Sequence, residues 1–368
     1  MKVIDLFAGC GGLSLGFIRE GFVVSKAVEF DKTIAETYKK NHPGVDVIVD
    51  DIRNIDATGT FINHDASVII GGPPCQGFSM AGARIRHGFI DDPRNYLFKH
   101  YFNVVKTVRP QVFVMENVKG MQTMQGGKIF REIIDIFSDK DLLDGEPYNI
   151  YYKIIRAADF GIPQKRERLI IIGVRKENID FTGLWEYTKG QIERQYPHYF
   201  QHVTIRDAIG NMPEPTESGV VQNPAPQTEY QRYLASDSPV IMNHNKTKHS
   251  GTAIKRMQKI HNGENFTALD EPIKSVHSGS YGRLYWDDLA ATITTRFDTP
   301  AGGRFIHPTE DRTLTPREAA RIQSFPDDFV FYGTRTLICK QIGNAVPPKL
   351  SYFLAKYVHN ILNSEEKR

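Results

Sequence analysis

Through the first half of the chain, short apolar runs alternate with segments whose apolar positions recur every three or four residues. The runs are "KVIDLF" (2–7), "VVSKAVEF" (23–30), "VDVIV" (45–49), "ASVIIGG" (66–72) and "VFVMEN" (112–117). Runs of this length, rich in Val and Ile, predict strands buried on both faces. The intervening Leu13–Glu20 and Thr33–Asn41 carry helical spacing. Strand and helix in alternation predict an α/β fold with a mostly parallel, doubly wound sheet. "YNIYYKIIRAADFG" followed by "ERLIIIGVR" reads as a hairpin added to it.

Beyond about Gly183 the pattern dissolves. Residues 211–240 are rich in Pro, Ser and Gln, and 241–305 show short strand-like pieces among glycine-bearing loops with no sustained period. Regular structure resumes at "LTPREAARIQSF", where Thr315, Pro316 and Glu318 spell an N-cap, a first-turn proline and a capping box. An apolar-periodic helix over Leu350–Leu362 closes the chain. The expected layout is a first domain over 1–183, an inserted small loop-rich, β-containing domain over 184–308, and a return over 309–368 that completes the first.

Composition narrows the options. Of 368 residues 40% are hydrophobic and 24% charged, and 46 basic against 43 acidic side chains leave +3. That is an ordinary water-soluble chain, so any nucleic-acid surface must be local. The three cysteines, Cys10, Cys75 and Cys339, lack Cys-x-x-Cys spacing, which disfavours a disulfide framework or a zinc site, and no metal is expected. No apolar run reaches membrane-spanning length, so the expected setting is the cytoplasm, with no membrane partner.

The first turn, "DLFAGCGGLSLGF" (5–17), runs from a strand into a helix through Gly9, Gly11 and Gly12. Such a turn lets backbone approach a ligand at a helix N-terminus. Ser14 stands where the dinucleotide fingerprint needs its third glycine, which counts against a nicotinamide oxidoreductase. Glu29 closes the second strand, where an acid can accept ribose hydroxyls, and Asp51 follows the third, placed to accept from an adenine amino group. With no phosphate-binding lysine motif, a nucleoside cofactor without polyphosphate is favoured, and S-adenosylmethionine fits.

"GGPPCQGFS" (71–79) puts Cys75 where the fourth run leaves the sheet. A structural cysteine belongs within apolar periodicity, whereas Cys75 follows Pro74, which stiffens the approach, and precedes Gln76. A deaminase-type zinc site would need a second cysteine at the position of Phe78. A nucleophile is therefore the favoured reading. The next run ends at Glu116 and Asn117 on the same expected sheet edge. "QKRER" (164–168) then sets Arg166 and Arg168 two apart, which in a strand places both on one face.

Together, "FAGCGG", Glu29, "DI" at Asp51, "GGPPCQGFS", "ENV", "QKRER", "REAARIQSFP" and "GNAVPP" resemble, in order and from end to end, the DNA (cytosine-5) methyltransferase family, in its prokaryotic restriction-modification form. The resemblance implies S-adenosylmethionine as cofactor, double-stranded DNA as partner, and a flipped-out cytosine as substrate. It implies that Cys75 attacks carbon 6, that Glu116 serves ring nitrogen 3, and that Arg168 and Arg166 orient the base. It adds Phe7, Phe30, Ile52, Pro73, Leu97, Asn344 and Val346 to the cofactor contacts. The stretch with Arg84, Arg86 and His87 resembles the family's DNA-closing loop, 184–308 its target-recognition domain, and Thr292-Ile293 a pair found there.

Residues 243–308 hold nine basic and six acidic side chains, a difference of +3. Arg283, Arg296 and Arg304 are expected to meet either guanine edges or phosphates. The tRNA-methylating branch of the family carries a Cys-Phe-Thr element absent from this sequence. A non-catalytic relative would lack the cysteine or the glutamate. The chain is expected to act as a monomer.

Overall fold

Strand residues with no exposed face build the centre of the structure, a computed structural model that describes residues 1–61, 65–74, 96–271, 273 and 278–364. Seven strands form one sheet: β1 (Lys2–Leu6), β2 (Val23–Val28), β3 (Asp46–Ile48), β4 (Val68–Gly71), β5 (Val112–Val118), β6 (Asn149–Arg156) and β7 (Glu167–Val174). Their order is β3-β2-β1-β4-β5-β7-β6. The first five are mutually parallel, and β7 runs antiparallel to β5. All of β4 and the first six residues of β5 are buried, as their unbroken apolar runs require. All five predicted runs are strands, and the two halves of the predicted hairpin are neighbours in the sheet.

The flanking helices of this unit are α1 (Gly12–Arg19), α2 (Lys32–Asn41), α3 (Ala57–Phe61), α4 (Leu97–Val108), α5 (Lys128–Ser138) and α6 (Phe181–Gln195). Phe98, Tyr101, Phe102 and Val105 of α4 join Phe113 and Phe137 in the main core, where the last two rings lie 4.2 Å apart. The Tyr101 hydroxyl donates to the carbonyls of Ile69 and Val114, both at 3.1 Å, and so fastens α4 to β4 and β5. The loss of apolar pattern near Gly183 does not end the helical structure, because α6 continues to Gln195 with Trp185, Thr188 and Ile192 buried.

The chain forms two compact units. One comprises Met1–Ile155, Glu167–Pro197 and Leu350–Arg368, and the other Arg156–Arg166 and His198–Lys349. The second contains α7 (Ile205–Ile209), β8 (Val221–Gln222), α8 (Glu229–Leu234), β9 (Val240–Ile241), α9 (Gly251–Gln258), β10 (Gly282–Arg283), β11 (Arg304–Ile306), α10 (Pro316–Ile322) and α11 (Arg335–Asn344). Its strands form two-stranded ribbons, β8 with β9 antiparallel and β10 with β11 parallel. α9 breaks the expectation of no regular period over 241–305. Ser250 caps it, accepting from the Ala253 amide at 3.2 Å.

α10 has the predicted capping box: Thr315 accepts from the Glu318 amide, and Glu318 accepts from the Thr315 amide at 2.8 Å. Arg317 is buried against the carbonyls of Met242, Pro326 and Phe329, and Arg321 is paired with Asp327 at 2.8 Å. α12 (Pro348–Asn363) then carries the chain back into the first unit. There a Cβ on Gly16 would overlap the Ser351 backbone, and the Ser351 hydroxyl donates to the Leu13 carbonyl. Only glycine allows α1 and α12 to approach this closely.

Candidate active site

The turn after β1 is built from unusual backbone. Phe7, Gly9 and Gly11 have φ of 59°, 57° and 92°. Such angles are free for glycine and cost a β-carbon residue such as Phe7 about 1 kcal/mol or more. A Cβ on Gly11 would also collide with the His42 imidazole, whereas one on Gly9 would meet nothing within 4 Å among the described residues. One side of the turn is thus packed and the other open. Gly12 begins α1 without a side-chain cap at Gly11, so the first helical amides depend on other partners.

Glu29 is buried beside this turn. Its Oε2 accepts from the Gly9 amide and its Oε1 from the Asp31 amide, each at 2.9 Å. The next residue, Phe30, is 62% exposed, while Ile52 and Leu97 are buried. Asp51 is engaged in a way its position in sequence did not foretell. Its carboxylate takes Nε and Nη2 of Arg53 at 3.0 and 2.6 Å, and those bonds hold it below the usual carboxylate range. An open glycine face, an oriented carboxylate and a largely exposed aromatic ring fit a nucleoside. The absence of Lys and Arg from residues 7–14 fits one without a polyphosphate.

At the other side of β4 the strand ends carry charge. The Arg168 Nε lies 2.8 Å from Glu116 Oε1 as an ion pair, with both side chains largely buried. Burial pushes the Arg168 guanidinium below its ordinary range, and Glu116 opposes that shift. A Cβ on Gly72 would stand 3.1 Å from Glu116 Oε2. The carboxylate therefore lies against the backbone three residues before Cys75. Asn117 donates from Nδ2 to the Pro73 carbonyl at 2.8 Å, pinning the same segment. Pro73 is buried and Pro74 half-buried. Sequence reasoning gave Asn117 and Gly72 no such part, although both lie inside quoted motifs.

Arg166 and Arg168 do different things. Arg166 precedes β7 instead of lying in it, so the strand argument for a shared face does not apply to the pair. Within the second unit its buried guanidinium donates to the carbonyls of Ile293 (3.3 Å), Gly343 (3.2 Å) and Ala345 (2.9 Å). Thr292 donates its hydroxyl to the Lys165 carbonyl at 2.8 Å, and the Ile293 amide donates to Gln164 Oε1 at 3.3 Å. These bonds gather "QKR", "TI" and "GNA" into one clamp. Asn344 is exposed there and Val346 buried.

Of the arginines expected to face DNA, Arg283 does not. It is 5% exposed, and its guanidinium donates to the carbonyls of Met257, Ile260, His307 and Glu310 and to Asp311 Oδ1. It is a buried brace, and the expectation is corrected on that ground. Arg304 is half-buried and donates to the carbonyls of Gly263, Glu264 and Arg283. Arg296 is exposed on a loop whose start the clamp holds. Cys75, Arg84 and Arg86 lie outside the described residues.

Comparison with known proteins gives these strand ends a context. The family described as C-5 cytosine-specific DNA methylase matches residues 1–360. The type II methyltransferase M1.HphI of Haemophilus parahaemolyticus is 36% identical over 99% of this chain and 88% of its own length. M.FnuDI of Fusobacterium nucleatum is 34% identical over 100% and 96%. Among solved structures, a candidate DNA modification methyltransferase encoded within an E. coli prophage superposes with a TM-score of 0.76 at 29% identity, covering 99% of this chain and 100% of the other. The S. pombe Dnmt2 methyltransferase shares the fold, with a TM-score of 0.59 at 17% identity, covering 99% of each chain. The chain belongs to the C-5 cytosine-specific DNA methylase family.

Proposed function

We propose that this enzyme transfers a methyl group from S-adenosylmethionine to carbon 5 of a cytosine flipped out of a specific double-stranded DNA sequence. The observation that carries the reading is the Glu116–Arg168 pair lying against Gly72, three residues before Cys75. Cys10 and Cys339 are both buried, and burial pushes each thiol up to about 12, so neither suits attack. Cys75 is the remaining thiol.

Carbon 5 of cytosine is too weak a nucleophile to act unaided, and its target atoms are out of reach inside a duplex. The Cys75 thiolate forms a bond to carbon 6. The displaced π electrons move to the carbon 4–carbon 5 bond, and the carbon 4–nitrogen 3 pair settles on nitrogen 3, which takes the proton that Glu116 picks up from solvent as the base enters. Arg168 fixes Glu116 and offers donors to the base oxygen. When bound, S-adenosylmethionine supplies a sulfonium-activated methyl carbon, which carbon 5 receives. Glu116 recovers the nitrogen 3 proton, a base takes the carbon 5 proton, and elimination reforms the ring double bond and frees the thiolate.

The cofactor is assigned to Phe7, Gly9, Gly11, Gly12, Glu29, Phe30, Asp51, Ile52, Pro73, Leu97, Asn344 and Val346. Pro74 stiffens the approach to Cys75. Arg166 holds the clamp of "TI" and "GNA" and reaches the base only through it. DNA contact is assigned to Arg84, Arg86, Arg296 and Arg304, with Thr292 and the 184–308 insertion carrying target recognition.

The test is incubation with methyl-labelled S-adenosylmethionine and a random-sequence duplex, followed by bisulfite sequencing. Label in cytosine at one recurring sequence supports the reading. Label in adenine, or in tRNA offered alongside, overturns it.

A further inference from the structure

Beneath the open turn, Asp5 is 1% exposed, one residue before the end of β1. Its Oδ2 accepts from the Ser14 hydroxyl at 2.6 Å, and Ser14 in turn shares a hydrogen bond with the Tyr38 hydroxyl at 2.7 Å. Its Oδ1 has no hydrogen-bond partner among the described residues. The groups that face it are Ala27 of β2 and Ile70 of β4 across the sheet, Cys10 and Ser14 from the turn and α1, Tyr38 from α2, Tyr101 from α4, and Glu29 beyond the end of β2. His42, stacked on Tyr38 with ring centroids 4.6 Å apart, is held neutral by burial, which pulls it down to about 4. No cation belongs to this set, and its other carboxylate, Glu29, is fixed by two backbone amides.

A lone carboxylate in such surroundings would be costly to ionise. Burial pushes Asp5 up to about 7, with the Ser14 bond opposing and Glu29 adding to the rise. Among the described residues the arrangement lacks only a positive charge. A sulfonium ligand brings a net one, and the product left after methyl transfer, a thioether whose ammonium and carboxylate cancel, does not.

We propose that Asp5 is a positioning residue that holds a proton while the turn lacks a cation and releases it to solvent when a sulfonium ligand binds, so that the enzyme distinguishes S-adenosylmethionine from S-adenosylhomocysteine by charge. The proposal rests on the cofactor assignment above. Asp5 touches the ligand only through the turn that Ser14 and the glycines form.

The experiment is calorimetric titration of the full chain with each ligand, from about pH 6 to pH 8, in buffers of differing ionisation enthalpy. The wild-type affinity for S-adenosylmethionine should climb with pH by up to about tenfold per unit below pH 7 and flatten above it. In Asp5→Asn, which keeps the shape of the neutral acid, that climb should disappear and proton release at or below pH 7 should fall by about half a proton or more. S-Adenosylhomocysteine should show the same pH dependence in both proteins. Ser14→Ala leaves the acid in place but removes the bond that opposes its rise, so the break in the profile should move to higher pH. That variant decides the matter if Asp5→Asn does not fold. Equal proton release in wild type and Asp5→Asn at or below pH 7, or an unmoved break in Ser14→Ala, overturns the role of Asp5. No binding of either ligand by wild type overturns the cofactor assignment instead.

Discussion

Glu116 and Arg168 meet across the antiparallel junction of the sheet, Nε to Oε1 at 2.8 Å, with Val118 opposite Arg168 and Ile170 opposite Glu116 in the register of β5 and β7. The reversed strand makes this possible, because it brings the start of β7 to the carboxyl end of β5. Breaking a buried pair by removing one partner strands the other charge, at about 3–5 kcal/mol.

Glu116→Gln keeps the side-chain shape but can neither balance Arg168 nor transfer a proton. The single-turnover rate of DNA methylation should fall about 10²- to 10⁴-fold. Cofactor affinity, measured by titration, should stay within about twofold. A rate near wild type would remove Glu116 from proton transfer.

Gly72→Ala probes the same carboxylate from the other side. The added methyl would sit 3.1 Å from Glu116 Oε2, tighter than ordinary contact, so the carboxylate must shift by a few tenths of an ångström. The methylation rate should drop about tenfold or more, since misplacement on that scale is expensive in a preorganised site. The melting temperature should move little. A large stability loss with full residual rate would argue that Gly72 serves packing alone.

Cys75→Ser replaces a thiol, a few per cent ionised at neutral pH, with a hydroxyl that is not. Methyl transfer should become undetectable while binding of S-adenosylmethionine and duplex DNA persists in titrations. Retained turnover would end the nucleophile assignment, because Cys10 and Cys339 are too deeply buried to substitute.

The sheet was legible because parallel strands covered on both faces must be written as unbroken apolar runs, and "VIIG" and "VFVMEN" are such runs. The glycine turn was legible because left-handed angles at Gly9 and Gly11 leave few residue choices. The arginines were not legible. A buried arginine that gathers carbonyls has the same local sequence as an exposed one waiting for phosphate, and the carbonyls around Arg283 come from residues 257, 260, 307 and 310. Asp5 was not legible either, because a single acid inside the apolar run "KVIDLF" does not show what surrounds it. α9 was missed because only Met257 of its residues is buried, which leaves almost no apolar stripe to read.

Arg166→Lys separates scaffold from chemistry. Lysine is a point charge and cannot span the carbonyls of Ile293, Gly343 and Ala345. Losing one or two charged hydrogen bonds in a buried setting should cost about 2–4 kcal/mol of stability, read by denaturant unfolding. Arg168→Lys should instead spare most stability and lower the methylation rate. The opposite pattern would return Arg166 to the reacting base.

The second unit should be acid-sensitive for a reason visible around Glu318. Burial would raise its carboxyl, but Arg312, bonded to both oxygens at 2.8 Å, outweighs that and brings it down to about 2. A carboxyl depressed in the folded state contributes stability that is fully present above its unfolded value of about 4.5 and is lost as pH falls toward 2. The contribution is about 3 kcal/mol at neutral pH. His244, His249 and His307 act in the same direction, since burial lowers each, and protonation in the unfolded chain withdraws stability below about pH 6.5. Glu318→Gln should therefore be less stable than wild type at pH 7 by about 3 kcal/mol, and the two unfolding curves should converge between pH 4.5 and 2. A difference that stays constant down to pH 2 would mean that Glu318 works through its capping-box hydrogen bonds and not through its charge.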